Sequence, residues 1–174
     1  MFYFTQDELQ RLFGAADAHS PVHGLLVRTC YRHAFRISEA LSLTPANLKN
    51  GRLVVRRSKG GKITLQKASA EFLAYAATIQ KGALLFPICS GTPSSARRAA
   101  NRLLRRLCQQ VGIDATKAHT HALRHSCVHH SRAAGVSYPC LTVHLGHADP
   151  KSILHYDIAT EQETEMAMSA VMGI

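Results

Sequence analysis

The stretch that decides the reading is His121-Ala-Leu-Arg124-His-Ser, followed by Leu145-Gly146-His147 and, nine residues on, Tyr156. A histidine and an arginine three apart share one helix face, so both side chains can converge on one small anion. Thr120 is the expected cap of that helix and Gly135 its expected end, which keeps the pair near the first turn. There the helix dipole already favours a phosphate. A phenol that follows two histidines and an arginine in this order is a candidate nucleophile.

Outward from that stretch, composition narrows the class. The chain has 174 residues, 46% hydrophobic and 18% charged, enough to bury a core and ordinary for a globular protein. No apolar run reaches a membrane span and no signal-peptide core opens the chain, so a cytoplasmic, nucleoid-associated protein is expected. Lys and Arg number 21 against 11 Asp and Glu, a net charge of +10, which is the electrostatic footprint of a nucleic-acid partner. Cys30, Cys89, Cys108, Cys127 and Cys140 form no C-x-x-C pair and are expected as scattered buried thiols.

Taken in order, Thr5-Gln-Asp-Glu8 is a capping box for a first helix, and Ser20-Pro21 starts a second that runs to about His33. Arg36 precedes a short amphipathic helix that ends near Thr44-Pro45. Leu53–Arg57 and Ile63–Gln66 flank Lys59-Gly60-Gly61-Lys62 and predict a β-hairpin with a glycine turn. Its mobile tip can carry an ammonium to a ligand. A helix over 67–78 follows, and Leu84–Pro87 is the candidate third strand. Ser94 or Ser95 is expected to cap the next helix, which ends before Gly112. On it Ala100, Leu104, Leu107 and Val111 form an apolar stripe. Arg98, Arg102 and Arg105 lie opposite and, with Lys62, are the candidate DNA backbone contacts. The helix from about Thr120 to Ala134, a short one near Pro139–Leu145 and the Tyr156 segment complete the chain.

Arg36 in Phe-Arg-Ile-Ser-Glu, Lys59 in Ser-Lys-Gly-Gly-Lys, His121-x-x-Arg124-His, Leu-Gly-His147 and Tyr156 resemble the tyrosine recombinase (phage integrase) family in order and in spacing. There are 23 residues from Arg124 to His147 and nine more to the tyrosine. The resemblance implies that Tyr156 attacks a scissile phosphodiester and forms a 3′-phosphotyrosine. It makes Arg36 and Arg124 clamps for the non-bridging oxygens, His121 and His147 hydrogen-bond donors or proton carriers, and Lys59 the acid for the departing 5′-oxygen. The chemistry is consistent with that assignment: two fixed guanidiniums neutralise charge that builds on the phosphate, and a phenol needs cations nearby to ionise at neutral pH. No cofactor is implied.

The pattern departs from the family at Ala34-Phe35, where Gly-Leu is frequent, and at Lys62-Ile-Thr-Leu, which lacks the usual arginine and proline. After His147, Ala-Asp-Pro-Lys-Ser-Ile replaces a Ser/Thr-rich segment. The N-terminal core-binding domain of most relatives is also missing from this sequence. His121, His125 and His129 step along one helix at zinc-like spacing, but no cysteine pair or carboxylate completes a set and Arg124 would sit beside the ion. No metal site is expected.

The expectation is therefore an α+β, mainly α fold with a small antiparallel sheet of about three strands, in one catalytic domain over residues 1–174. The resemblance adds a tail near 160–174 exchanged between protomers, and a homodimer or tetramer on double-stranded DNA, with a monomeric free state left open. Two other readings share the fold: a DNA-binding regulator or plasmid-maintenance factor, and a topoisomerase-like relaxing enzyme.

Overall fold

The computed structural model describes residues 3–58, 60–89 and 91–147. Lys59, Tyr156 and the tail over 160–174 lie outside them. Seven helices and a three-stranded sheet are formed among the described residues.

Helix α1 (Gln6–His19) starts at the predicted capping box. The Thr5 amide donates to Glu8 Oε2 at 2.8 Å and the Glu8 amide to Thr5 Oγ1 at 3.2 Å. Helix α2 (Pro21–Arg32) follows Ser20 with proline at its first position, where the missing N–H costs nothing. The two helices pack along each other, and α2 also packs on the helix that carries His121 and Arg124. After α2 the chain turns through Ala34 at φ 48°, a left-handed conformation in which glycine is the unstrained residue. The Phe35 amide closes this turn on the Cys30 carbonyl at 3.1 Å. Arg36 is thereby placed at the N-cap of the short helix α3 (Ile37–Leu41).

The sheet is antiparallel in the order β1 (Leu48–Lys49), β2 (Arg52–Arg56), β3 (Ile63–Lys67), with Val54 opposite Leu65. The hairpin is where the sequence puts it; the third strand is not. Leu85 and Phe86 are both buried, which a half-exposed strand of period two forbids. The Leu85 amide instead caps the Leu43 carbonyl at 2.8 Å. Helix α4 (Ala70–Ala77) leads through this segment to α5 (Pro93–Gln110).

Two caps differ from expectation. Thr92, not Ser94 or Ser95, caps α5 by accepting from the Ser95 amide at 3.2 Å, because Pro93 takes the first helical position. His119, not Thr120, caps α6 (Thr120–Ala133), its Nδ1 accepting from the Ala122 amide at 3.2 Å. The Thr120 amide and hydroxyl both donate to Asn101 Oδ1 instead. Gly135 (φ 82°) ends α6 as read, and α7 (Tyr138–Leu145) ends on Gly146.

The main core gathers Leu9 and Leu12 of α1, Leu25 and Leu26 of α2, Leu53 and Val55 of β2, Phe72 of α4, Leu104 and Leu107 of α5, and Leu123 of α6. A second, smaller cluster joins Ala34, Cys127, Val128, Leu141 and Leu145. It clamps α7 beneath the α2–α3 turn, and so delivers Gly146 and His147 to the hairpin. Cys30, Cys108 and Cys127 are buried as expected, but Cys89 and Cys140 are exposed; all five thiols are free.

Candidate active site

Arg36 lies at the start of α3, His121 and Arg124 lie in α6 and His147 follows the end of α7, and the fold brings these three segments together. Arg124 is fully buried, a position that a guanidinium rarely occupies without partners. Its Nη1 donates to the Ala34 carbonyl and its Nη2 lies 2.6 Å from Nε2 of His147. The side chain therefore stitches α6 to the turn before Arg36 and to the residue after α7.

Arg36 is held by Glu39, one turn along α3. Its Nη1 donates to Glu39 Oε1 at 3.1 Å and to the Ser58 carbonyl and hydroxyl, each at 3.3 Å. The Arg36 amide donates to Oε2 at 2.9 Å. Arg36 keeps 23% of its side chain exposed while Glu39 keeps 3%. One arginine thus remains at the surface of the site over a buried carboxylate that orients it.

Burial raises the Glu39 carboxyl, but hydrogen bonds from the Ser58 and Arg36 amides and the charge of Arg57 reverse this and hold it at about 2. It is ionised throughout the physiological range.

Both histidines are neutral for the opposite reason. Burial first, then the charges of His125, Arg124, His119 and Arg36, pushes His121 down to about 4. Burial first, then Arg124, Arg36 and Arg57, pushes His147 down to about 4, against the pull of Glu39. Neutral imidazoles beside two guanidiniums can donate or pass a proton without adding further repulsion. Arg36 and Arg124 lower the pKa of both rings, and Arg124 touches His147 directly.

Lys59 and Tyr156 fall outside the described residues. Among the DNA-facing candidates, Lys62 is exposed on the hairpin, its amide donating to the Gly146 carbonyl at 2.9 Å. Arg98, Arg102 and Arg105 are exposed on α5, opposite the buried stripe, and Arg97 and Arg106 join them. Arg105 is close enough to His119, the cap of α6, to help lower its pKa. The basic helix therefore runs toward the start of the site helix.

Most of the other histidines have packing roles. His129 stacks on Tyr3 at 3.7 Å between ring centroids, and Nδ1 of His130 meets the Tyr31 hydroxyl at 3.0 Å. Among the described residues no three His, Cys, Asp or Glu side chains gather as metal ligands, and no helix is long and apolar enough to cross a membrane.

Two contributors escaped the sequence reading: Glu39 and Arg57. Glu39 sits one turn after Arg36, where an i, i+3 pair is always worth testing. Arg57, one residue past β2, continues the inward alternation of Leu53 and Val55, which was the available signal.

The model of the phage integrase family matches residues 3–163. The chain belongs to the phage integrase family. Tyrosine recombinase XerD of Caulobacter vibrioides is 32% identical over 161 residues, covering 83% of this chain and 53% of that protein. The type 1 fimbriae regulatory protein FimE of Escherichia coli K12 is 29% identical over 174 residues, covering 88% and 84%. The chain thus spans about half of the first relative and most of the second. Among solved structures, the catalytic domain of bacteriophage HP1 integrase superposes with a TM-score of 0.67 at 24% identity, over 99% of this chain and 94% of that one. The post-cleavage complex of XerH recombinase with its difH substrate gives 0.74 at 20% identity, over 97% and 52%. These likenesses establish the fold, mainly helical with a three-stranded antiparallel sheet, as that of the family's catalytic domain.

Proposed function

We propose that this chain is a site-specific DNA recombinase that cuts and rejoins DNA through a 3′-phosphotyrosine. The observation that carries the reading is the buried Arg124, braced on Ala34 and His147, with a partly exposed Arg36 that Glu39 orients. Two preorganised guanidiniums and two neutral imidazoles form a site complementary to the charge that develops on a phosphorane. Membership of the phage integrase family supplies the reaction.

In this reading the Tyr156 oxygen attacks phosphorus and the P–O5′ bond breaks. The tyrosyl proton passes to neutral His121, while His147, its Nε2 taken by Arg124, donates from Nδ1 to the phosphate, and Lys59 protonates the departing 5′-oxygen. Arg36 and Arg124 neutralise the equatorial oxygens. Rejoining reverses the step with a 5′-hydroxyl from another strand, so the bond energy is conserved in the protein ester and no cofactor is consumed. Lys62, Arg98, Arg102 and Arg105 grip the flanking backbone of double-stranded DNA.

Residues 1–174 act as one catalytic domain. Two or four protomers assemble on DNA, with the tail near 160–174 exchanged between neighbours, in the nucleoid of the cytoplasm. A regulator that only binds DNA has no use for the phenol.

The test is a nicked suicide duplex, which traps the covalent intermediate by losing the 5′-hydroxyl strand. A protease-sensitive protein–DNA adduct is expected, and it should vanish in Tyr156→Phe. Binding without any adduct would favour the regulator; supercoil relaxation without strand exchange would favour the topoisomerase-like reading.

A further inference from the structure

Arg57 has no place in the mechanism above, yet it is the most completely bonded side chain near the site. Its side chain is 1% exposed. Nε donates to Thr64 Oγ1 at 3.1 Å, Nη1 to Glu39 Oε2 at 3.0 Å and the Ala34 carbonyl at 3.4 Å, and Nη2 to the His33 and His144 carbonyls, both at 2.8 Å. A guanidinium has five N–H donors, and these five bonds use them all. No donor remains for a substrate oxygen, so Arg57 cannot be a further phosphate clamp. Phe35 closes one face of the fork, its ring centroid 4.4 Å from the guanidinium carbon.

The partners matter more than their number. His33 and Ala34 are the turn before Arg36; Glu39 is the residue that orients Arg36; Thr64 is on β3; His144 lies three residues before His147. The stem of Arg57 is also the surface on which two glycines rest. A Cβ at Gly61 would lie 2.6 Å from Arg57 Cβ, and one at Gly146 would lie 2.6 Å from its Cγ.

We propose that Arg57 is the positioning residue of the site, one guanidinium that locks the α2–α3 turn, the hairpin and the end of α7 in register around the phosphate. The proposal rests on the recombinase reading for its effect on catalysis, whereas the lock itself can be tested without DNA. Glu39, its charged partner, is faced by Arg36 from α3, by Arg57 and Ser58 from the hairpin, by Cys30 from α2 and by His147 across the site.

The experiment compares wild type, Arg57→Lys and Arg57→Met in the full chain. Adduct formation on the suicide duplex, duplex affinity, and amide hydrogen exchange at Ser58 (bonded to Glu39) and Lys62 (bonded to Gly146) are measured together. A lysine keeps the charge but has neither the fork nor five donors. Both variants should form adduct about 100-fold more slowly, the cost of misplacing reacting groups by about 1 Å. Duplex affinity should stay within about threefold, and the Ser58 and Lys62 amides should lose protection. In Arg57→Met the acidic limb of the single-turnover rate should also move to higher pH, because Glu39 keeps its burial and loses a counter-charge.

Adduct formation in Arg57→Lys within about threefold of wild type overturns the proposal. So does a loss of rate equal at every pH with both amides still protected, which would mark a merely structural residue. If Arg57→Met does not fold, Arg57→Lys decides alone. Absence of adduct in wild type, with protection lost in the variants, would sink the recombinase reading and leave the lock standing.

Discussion

Nη2 of Arg124 and Nε2 of His147 lie 2.6 Å apart, and the chemistry of the pair fixes where the ring carries its proton. Arginine has no acceptor, so Nε2 must accept and the ring hydrogen sits on Nδ1. Burial and then the nearby guanidiniums hold the ring down to about 4. His147 should therefore be the neutral Nδ1–H tautomer from pH 8 to about 5.5. Ring nitrogen chemical shifts in histidine-labelled protein test this, and a cationic His147 at pH 6 would contradict it.

Arg36 and Arg124 should separate chemistry from grip. Arg36→Ala or Arg124→Ala removes a guanidinium proposed to clamp the phosphate and should slow adduct formation by about 100- to 1,000-fold. Non-specific duplex binding should fall by less than about tenfold, because most of that affinity comes from exposed cations elsewhere. Equal losses in the two assays would mean that these arginines only hold the backbone.

Much of this site was legible because its parts sit in local motifs. His121 and Arg124 share one helical turn, Gly146 precedes His147 at a helix end, and Arg36 follows a turn. Glu39 and Arg57 were not legible in the same way, since their meaning is tertiary. An Arg56-Arg57-Ser58 run at a hairpin reads as solvated charge until the pleat shows Arg57 facing inward with Leu53 and Val55. The third strand failed for a related reason. Leu84–Pro87 has strand composition, but Leu85 and Phe86 are both buried, while the modest Leu48–Lys49 pairs with β2.

Acid sensitivity should come from histidine. His33 is 6% exposed, its Nδ1 2.9 Å from Gln66 Oε1. Burial first, reinforced by the charges of His144, Arg57 and Arg32 against the Gln66 bond, pushes it down to about 4 from an ordinary 6.5. Between those values the unfolded chain binds the proton and the folded one does not, so stability falls as pH drops through the window. His33 alone should remove about 2 kcal/mol between pH 7.5 and 5. Glu39 behaves oppositely. Its folded value of about 2 lies below its ordinary 4.5, so its stabilisation is complete above 4.5 and is lost only as pH falls toward 2. Denaturant melts at pH 7.5 and 5 test the assignment: His33→Gln should shrink the difference, and a stability independent of pH would refute it.

The exposed arginines of α5 should act additively and without regard to base sequence. Arg98→Ala, Arg102→Ala and Arg105→Ala should each weaken duplex binding on cognate and random DNA alike. Each should reduce the slope of log affinity against log salt by about 1. Adduct formation at saturating protein should be almost unchanged. A variant that relaxes sequence preference while leaving the salt slope intact would show that the residue reads bases instead.

Gly146 offers the sharpest steric test of how the hairpin meets the end of α7. Its φ is 62°, where a side chain is strained, and a Cβ there would lie 2.6 Å from Arg57 Cγ, 2.7 Å from Thr64 Cγ2 and 3.2 Å from the Lys62 carbonyl. The left-handed backbone alone costs about 1–2 kcal/mol for alanine. The neighbours are a fully bonded arginine stem, a buried β3 threonine and backbone, none of which can yield cheaply. Gly146→Ala should therefore destabilise the fold by about 3 kcal/mol or more and break the Lys62 amide bond to the Gly146 carbonyl. Gly112, also at positive φ but with open space around it, is the control: Gly112→Ala should cost only the backbone strain. Urea melts of the two variants measure the difference, and equal costs would mean that the hairpin does not rest on Gly146.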